Sequence, residues 1–130
     1  MPTGAKEEFE KGKKFDSEKL RFDLIPPECE AMIAAVFTMG AMKYSPDNWQ
    51  YVEGFDWRYY NGKTRHSNQK RLGETFDRES GLPHSAHVAV NAIFELWKDI
   101  ELEIGKENVL NFIAEKLTLC KTKFDKNTKI

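Results

Sequence analysis

The strongest constraint on this chain is the apolar pattern between Pro83 and about Glu103. Apolar residues recur there at intervals of three and four, the period of an α-helix that buries one face. They are Val90, Ile93, Phe94, Trp97, Ile100 and Ile104. Proline suits a first helical turn, and Gly105 is placed to end the helix. A helix with such a stripe needs other elements to cover it.

The rest of the chain offers helices as that cover. The spacing predicts one helix that starts at Pro27 and ends before the turn residues Tyr44–Asn48. A second helix is predicted from Trp57 to Leu72 with Asp56 as its N-cap, and a last one from about Glu107 to Leu119. No segment shows the alternation of a half-buried strand. We therefore expect an all-α fold, a single-domain bundle of about four helices with long functional loops.

We expect residues 1–130 to form one domain, since this length suits a single core. Within it, residues 1–19 are predicted to be a flexible lead-in without sustained periodicity. Residues 20–104 form the core, and residues 105–130 form a C-terminal helix and a polar tail.

Composition excludes several classes of protein. The net charge is −1, so no overall positive field draws the chain to nucleic acid. No stretch approaches the ~18 apolar residues needed to span a bilayer, and the charged opening residues do not resemble a signal peptide. Cys29 and Cys120 lack zinc-ligand spacing, which favours reduced thiols in the cytoplasm.

Three histidines lie between positions 66 and 87. His84, His87 and Asn91 are separated by three and four residues, so they share one face of the predicted helix. Such a face can hold a metal, a phosphate or a base edge. The competing interpretation is that these histidines only pack.

Three acids precede that helix, namely Glu74, Asp77 and Glu79. Carboxylates this close repel one another unless a cation lies among them or they spread into water. We expect them to bind Mg²⁺ or Mn²⁺, and a histidine contribution would favour Mn²⁺. A solvated acidic loop is the alternative.

Basic and aromatic side chains surround the same segments. Arg58 and Arg65 lie two helical turns apart and share a face, and an arginine donates two parallel hydrogen bonds to a phosphate. Aromatic residues are dense here, and one or two can stack on a purine. The candidate substrate-binding residues are Lys43, Asn48, Trp49, Arg58, Arg65, His66 and Asn91. The chain has no GxxxxGK[ST], GxGxxG, GxSxG or HExxH motif, which argues against P-loop, Rossmann, hydrolase-elbow and zincin sites.

Taken together, these motifs resemble the N-terminal domain family of phage dATP/dGTP diphosphohydrolases, which is similar to the all-α MazG-type nucleotide pyrophosphohydrolases. The resemblance covers about residues 19–97 and is carried by the segments Arg21–Glu28, Gly40–Tyr44, Asn48-Trp49, Gly54, Trp57–Tyr60, Arg65-His66, Gly73-Glu74, Asp77–Gly81, His84, His87 and Asn91. It implies hydrolysis of dGTP or dATP to the monophosphate and pyrophosphate with a divalent metal. In that enzyme, His84 or His87 would orient or deprotonate water.

Two other interpretations stay open. The MazG-type EExxE and ExxD signatures have no clean copy in this chain. A phage protein of this kind can instead act as a non-catalytic sponge that sequesters a nucleotide immune signal, such as a cyclic nucleotide or an ADP-ribose derivative, and so inhibits host defence. The other open interpretation is a helical interaction domain that binds no ligand. In every case we expect a homo-oligomer, dimer or higher, in the host cytoplasm, because the second helix is partly apolar.

Overall fold

The structure is a computed structural model that describes residues 19–128, with side chains up to residue 125. Most of the predicted lead-in, residues 1–18, lies outside the described residues. Within them the fold is all-α, as the sequence predicts, and no strand is present. Four α-helices make up most of the described chain: α1 (Pro27–Lys43), α2 (Phe55–Arg71), α3 (His84–Asp99) and α4 (Val109–Thr128). None of the described helices is long and apolar enough to cross a membrane.

Four short helical turns precede, separate or extend the described helices. Three of them are 3₁₀ turns, at Phe22–Leu24, Asn48–Tyr51 and Lys106–Asn108. The fourth is a π-helical turn at Ile100–Ile104. The π turn continues α3, and it ends at Gly105, whose positive φ of 91° stops the helix as expected. The last helix runs on to Thr128, well past the predicted end at Leu119.

The prediction that Asp56 caps α2 is wrong. The capping position belongs to Gly54, with a φ of 71°, and Asp56 lies in the first helical turn. A β-carbon on Gly54 would stand 2.3 Å from Nε1 of Trp57, so this position needs glycine for its backbone and for the indole packed against it. Asp56 still complements the positive end of the helix.

The described chain divides into two compact units. The larger comprises residues 25–109 and contains α1, α2 and α3, whereas the other comprises the flanking segments with most of α4. The candidate site lies wholly in the larger unit.

Six aromatic rings pack together in the larger unit. They form the aromatic cluster, which consists of Phe37, Trp49, Phe55, Tyr59, Phe94 and Trp97. Trp49 stacks on Phe94 with ring centroids 4.6 Å apart, and the Tyr59 hydroxyl donates to the Trp49 carbonyl at 2.8 Å. These contacts join all three helices through the short turn that carries Trp49.

Helices α2 and α3 run antiparallel and approach closely where Gly62 meets Asn91. Gly62 is buried, and a β-carbon there would lie 3.2 Å from the Asn91 side-chain oxygen. An ion pair between Lys63 and Glu95 joins the two helices beside this point. His66 lies one turn after Gly62, and His87 one turn before Asn91. The antiparallel packing therefore brings these two histidines together.

Candidate metal centre

The segment that connects α2 to α3 folds back on itself. The Asp77 amide donates to the Leu82 carbonyl at 2.8 Å, and the His84 amide donates to the Thr75 carbonyl at 2.8 Å. One antiparallel bridge between Phe76 and Pro83 lies inside this turn. The backbone thus closes at His84, the first residue of α3, and holds Asp77 over the start of that helix.

His84 is fully buried, and both of its ring nitrogens have partners. Its Nε2 lies 2.7 Å from Oε1 of Glu74. A carboxylate only accepts hydrogen bonds, so this contact places the imidazole proton on Nε2 and leaves a lone pair on Nδ1. That Nδ1 lies 2.9 Å from Nδ1 of His66 on α2.

Asp77 completes a group of three possible ligands. One atom each from His66, Asp77 and His84 lies within 4.8 Å of the other two, the kind of cluster that can hold a metal ion. The Asp77 Oδ1 is 3.9 Å from Nδ1 of His66, while its Oδ2 accepts the Ser80 amide at 2.8 Å. Ligands at right angles around an ion with bonds of about 2.1 Å stand about 3 Å apart. The two imidazole nitrogens, 2.9 Å apart, match this spacing, whereas the Asp77 oxygen lies farther from His66.

The charges of these groups suit a cation. Burial, with the nearby His87, lowers the pKa of His66 to about 4, so its imidazole is neutral at neutral pH. Burial tends to raise the pKa of Asp77, but its hydrogen bonds from Ser80 and the adjacent His87 and His66 bring that pKa below its usual value. His66 therefore offers a neutral nitrogen and Asp77 an ionised carboxylate, the forms in which these groups bind metals.

Glu74 contacts His84 at Nε2, the ring nitrogen that is not part of the three-residue group. Its hydrogen bond with His84 is the main reason that the Glu74 pKa is lowered, and Arg78 also contacts it, with Nε 3.1 Å from Oε2. A carboxylate that accepts the outer N–H of a ligating histidine fixes the ring and strengthens it as a ligand. Glu74 is placed to do this for His84.

His87 lies beside the three ligand atoms. Its ring stacks on that of His66 with centroids 4.5 Å apart, and its Nε2 is 2.7 Å from the Ser80 hydroxyl. Burial lowers its pKa and keeps it neutral. The two histidines predicted to be catalytic therefore differ in position. His84 belongs to the three-residue group, whereas His87 lies beside it, stacked on His66.

The three predicted metal-binding acids do not converge on one point. Asp77 belongs to the ligand group, Glu74 contacts it through His84, and Glu79 pairs with Lys43 at 2.5 Å in an exposed position. The three carboxylates instead contact different partners, namely His84, Ser80 and Lys43. The sequence assigned His66 to the substrate, and in the structure its ring nitrogen joins the group that could hold a metal ion.

The predicted phosphate-binding side chains lie around the centre at different distances. Arg65 is exposed next to His66, and its charge helps to lower the His66 pKa. Lys43, at the end of α1, reaches the turn through Glu79. The Arg58 guanidinium lies 5.1 Å from the Trp57 ring, on an exposed part of α2.

Three other predicted substrate-binding residues have structural contacts. Trp49 belongs to the aromatic cluster, which accounts for its ring through packing. Asn91 donates to the His87 carbonyl at 2.8 Å and packs against Gly62. Asn48 is exposed, and its backbone N–H donates to the Ser45 carbonyl at 3.3 Å.

Comparison with known proteins identifies the family. A family profile described as "dATP/dGTP diphosphohydrolase, N-terminal" matches residues 9–109. A protein named dATP/dGTP diphosphohydrolase, from Salmonella phage PMBT28, is 34% identical over 86 residues. That alignment covers 66% of this chain but only 29% of the relative. No solved structure matches. The chain belongs to the dATP/dGTP diphosphohydrolase N-terminal family.

Proposed function

We propose that this domain hydrolyses a purine deoxynucleoside triphosphate, dGTP or dATP, to the monophosphate and pyrophosphate with a divalent metal. The observation that carries the proposal is the group formed by His66, Asp77 and His84, whose ligand atoms converge within 4.8 Å. The name of the phage relative supports this substrate class. An exposed Arg65 beside the group supplies a positive charge for phosphate.

The metal would be held by His66, Asp77 and His84, where it would supply charge neutralisation for the triphosphate. Arg65 and Lys43 bind phosphate oxygens, for which Lys43 leaves its partner Glu79. Water adds to the α-phosphorus. The bond between the α-phosphorus and the oxygen that links it to the β-phosphorus breaks, and pyrophosphate leaves. His87 accepts the proton from this water, since its lowered pKa keeps the ring neutral.

The test is product analysis. Purified protein is incubated with dGTP or dATP and Mn²⁺ or Mg²⁺, with and without excess chelator, and the products are separated by anion exchange. The proposal expects equal amounts of monophosphate and pyrophosphate, and none after chelation. If the triphosphate stays intact with every ion, the domain does not hydrolyse it.

A second candidate is nucleotide binding without hydrolysis. The observation that favours it is that the match covers 29% of the phage relative, so the reaction of that protein can depend on the rest of its length. The isolated domain would then act as a sponge for a nucleotide signal. Binding measured by calorimetry in the presence of chelator separates the two, since a sponge keeps its affinity and releases no pyrophosphate.

A further inference from the structure

We infer that the centre selects a first-row transition ion, such as Mn²⁺ or Co²⁺, over Mg²⁺. This deepens the proposed function by naming the metal class of the same site, but it depends only on the geometry of the ligand group. The group offers imidazole nitrogens from His66 and His84 and one carboxylate oxygen from Asp77. Imidazole suits transition ions, whereas Mg²⁺ takes oxygen ligands and gives up its water reluctantly.

The contact between the two histidines supports a ligand role. His84 Nε2 faces Glu74, so its remaining Nδ1 bears a lone pair that points to His66 Nδ1 at 2.9 Å. Without an ion, a proton on His66 has to fill this gap. An ion between them instead accepts both lone pairs at once, and the burial of His84 leaves its ring little freedom to turn away.

Glu74 is the positioning residue of this site. It does not contact the ligand position itself and acts through the 2.7 Å hydrogen bond to His84. Glu74 is in turn held by Arg78 and by its own amide, which donates to the Gln69 carbonyl at 3.0 Å. A fixed carboxylate behind a histidine is the usual outer partner of a metal ligand.

Asp77 and Glu79 provide a matched pair of acids for a test. They lie two residues apart on one turn, but the Asp77 carboxylate is 3.9 Å from the His66 ring nitrogen while Glu79 pairs with Lys43. Asp77→Asn and Glu79→Gln each change one carboxylate to the amide of the same size. If the ion binds between His66, Asp77 and His84, only Asp77→Asn removes a ligand.

The experiment measures ion binding without nucleotide, by calorimetry on the full chain with Mn²⁺ and Mg²⁺ and by the visible absorption of bound Co²⁺. We expect Mn²⁺ to bind at least ~10-fold more tightly than Mg²⁺. Asp77→Asn abolishes binding, Glu74→Gln weakens it about 10- to 100-fold, and Glu79→Gln stays within about twofold, as an exposed ion pair has little effect. Circular dichroism checks that each variant is folded.

Other results overturn the inference. Equal affinity for Mn²⁺ and Mg²⁺, or equal losses in Asp77→Asn and Glu79→Gln, would indicate an oxygen site in the acidic turn. No binding of any ion by the wild type would mean that the two histidines only hydrogen-bond each other. Tight Mn²⁺ binding without any dGTP cleavage would refute the proposed hydrolysis and leave the inference standing.

Discussion

At the scale of single residues, the site depends on where each nitrogen and oxygen is directed. Glu74 fixes the outer nitrogen of His84, and the Ser80 amide fixes one oxygen of Asp77. The remaining nitrogen and oxygen are therefore oriented before any ligand arrives. Such preorganisation lowers the cost of binding an ion or a phosphate.

Arg65 provides a residue-scale prediction about the substrate. Arg65→Ala is expected to weaken nucleotide binding by about 1.5–3 kcal/mol, the loss of a charge-assisted hydrogen bond, without unfolding the protein. The matched control is Arg71→Ala, an exposed arginine at the end of the same helix. Calorimetric titration with a non-hydrolysable dGTP analogue measures both. If the two variants bind equally well, Arg65 has no special role.

His66 gives a prediction about stability and pH. Its pKa falls from 6.5 to about 4 on folding, through burial and through the nearby His87, His84 and Arg65, while the facing Asp77 opposes this shift. The unfolded chain binds this proton between those values and the folded chain does not. Stability in chelator should therefore fall as the pH is lowered from about 6.5 to about 4. Urea unfolding across this range tests it, and stability that rises toward low pH would contradict it.

At the scale of elements, the antiparallel packing of α2 and α3 assembles the site. Residue spacing alone put His84 and His87 on one face of a helix, and the structure keeps them at its first two turns. Residue spacing could not show that His66 joins them, because this contact depends on the antiparallel packing of α2 against α3. It also placed three acids together, whereas backbone hydrogen bonds in the turn direct Asp77 and Glu79 to different partners.

The contact at Gly62 leads to a prediction for this pair of helices. Gly62→Leu is expected to destabilise the protein by about 1–3 kcal/mol and to weaken Mn²⁺ binding, because the larger side chain pushes against Asn91 and separates the histidines. Gly40→Ala in α1 is the control, since a β-carbon there has no atom within 4 Å. It should raise stability by up to ~1 kcal/mol. Equal stability of both variants would contradict the close packing.

At the scale of the whole molecule, the helical class could be predicted from sequence because it needs only local periodicity. The sequence counted four helices correctly within the described residues. The role of Trp49 could not be foreseen, since an aromatic residue in a loop suits either a purine or a core. The structure assigns it to the aromatic cluster, whose members are far apart in the sequence.

Burial leads to a prediction about assembly. Among the described residues, the buried apolar side chains are Phe55, Ala86 and Val90, and α1 buries none of its residues fully. So little buried surface favours association of copies, and we expect a homo-oligomer, dimer first. Light scattering after size exclusion at micromolar concentration measures the mass. A single species of 15.1 kDa would contradict the prediction.

The central claim, that His66, Asp77 and His84 hold a metal for triphosphate hydrolysis, is tested most directly by separating the products formed from dGTP by anion exchange over time. Wild type and Asp77→Asn are compared in Mn²⁺ at equal protein concentration. The account predicts that wild type releases dGMP and pyrophosphate in equal amounts and that the variant is slower by orders of magnitude, because a ligand is lost. Intact dGTP with the wild type, or the same rate in both proteins, would contradict it.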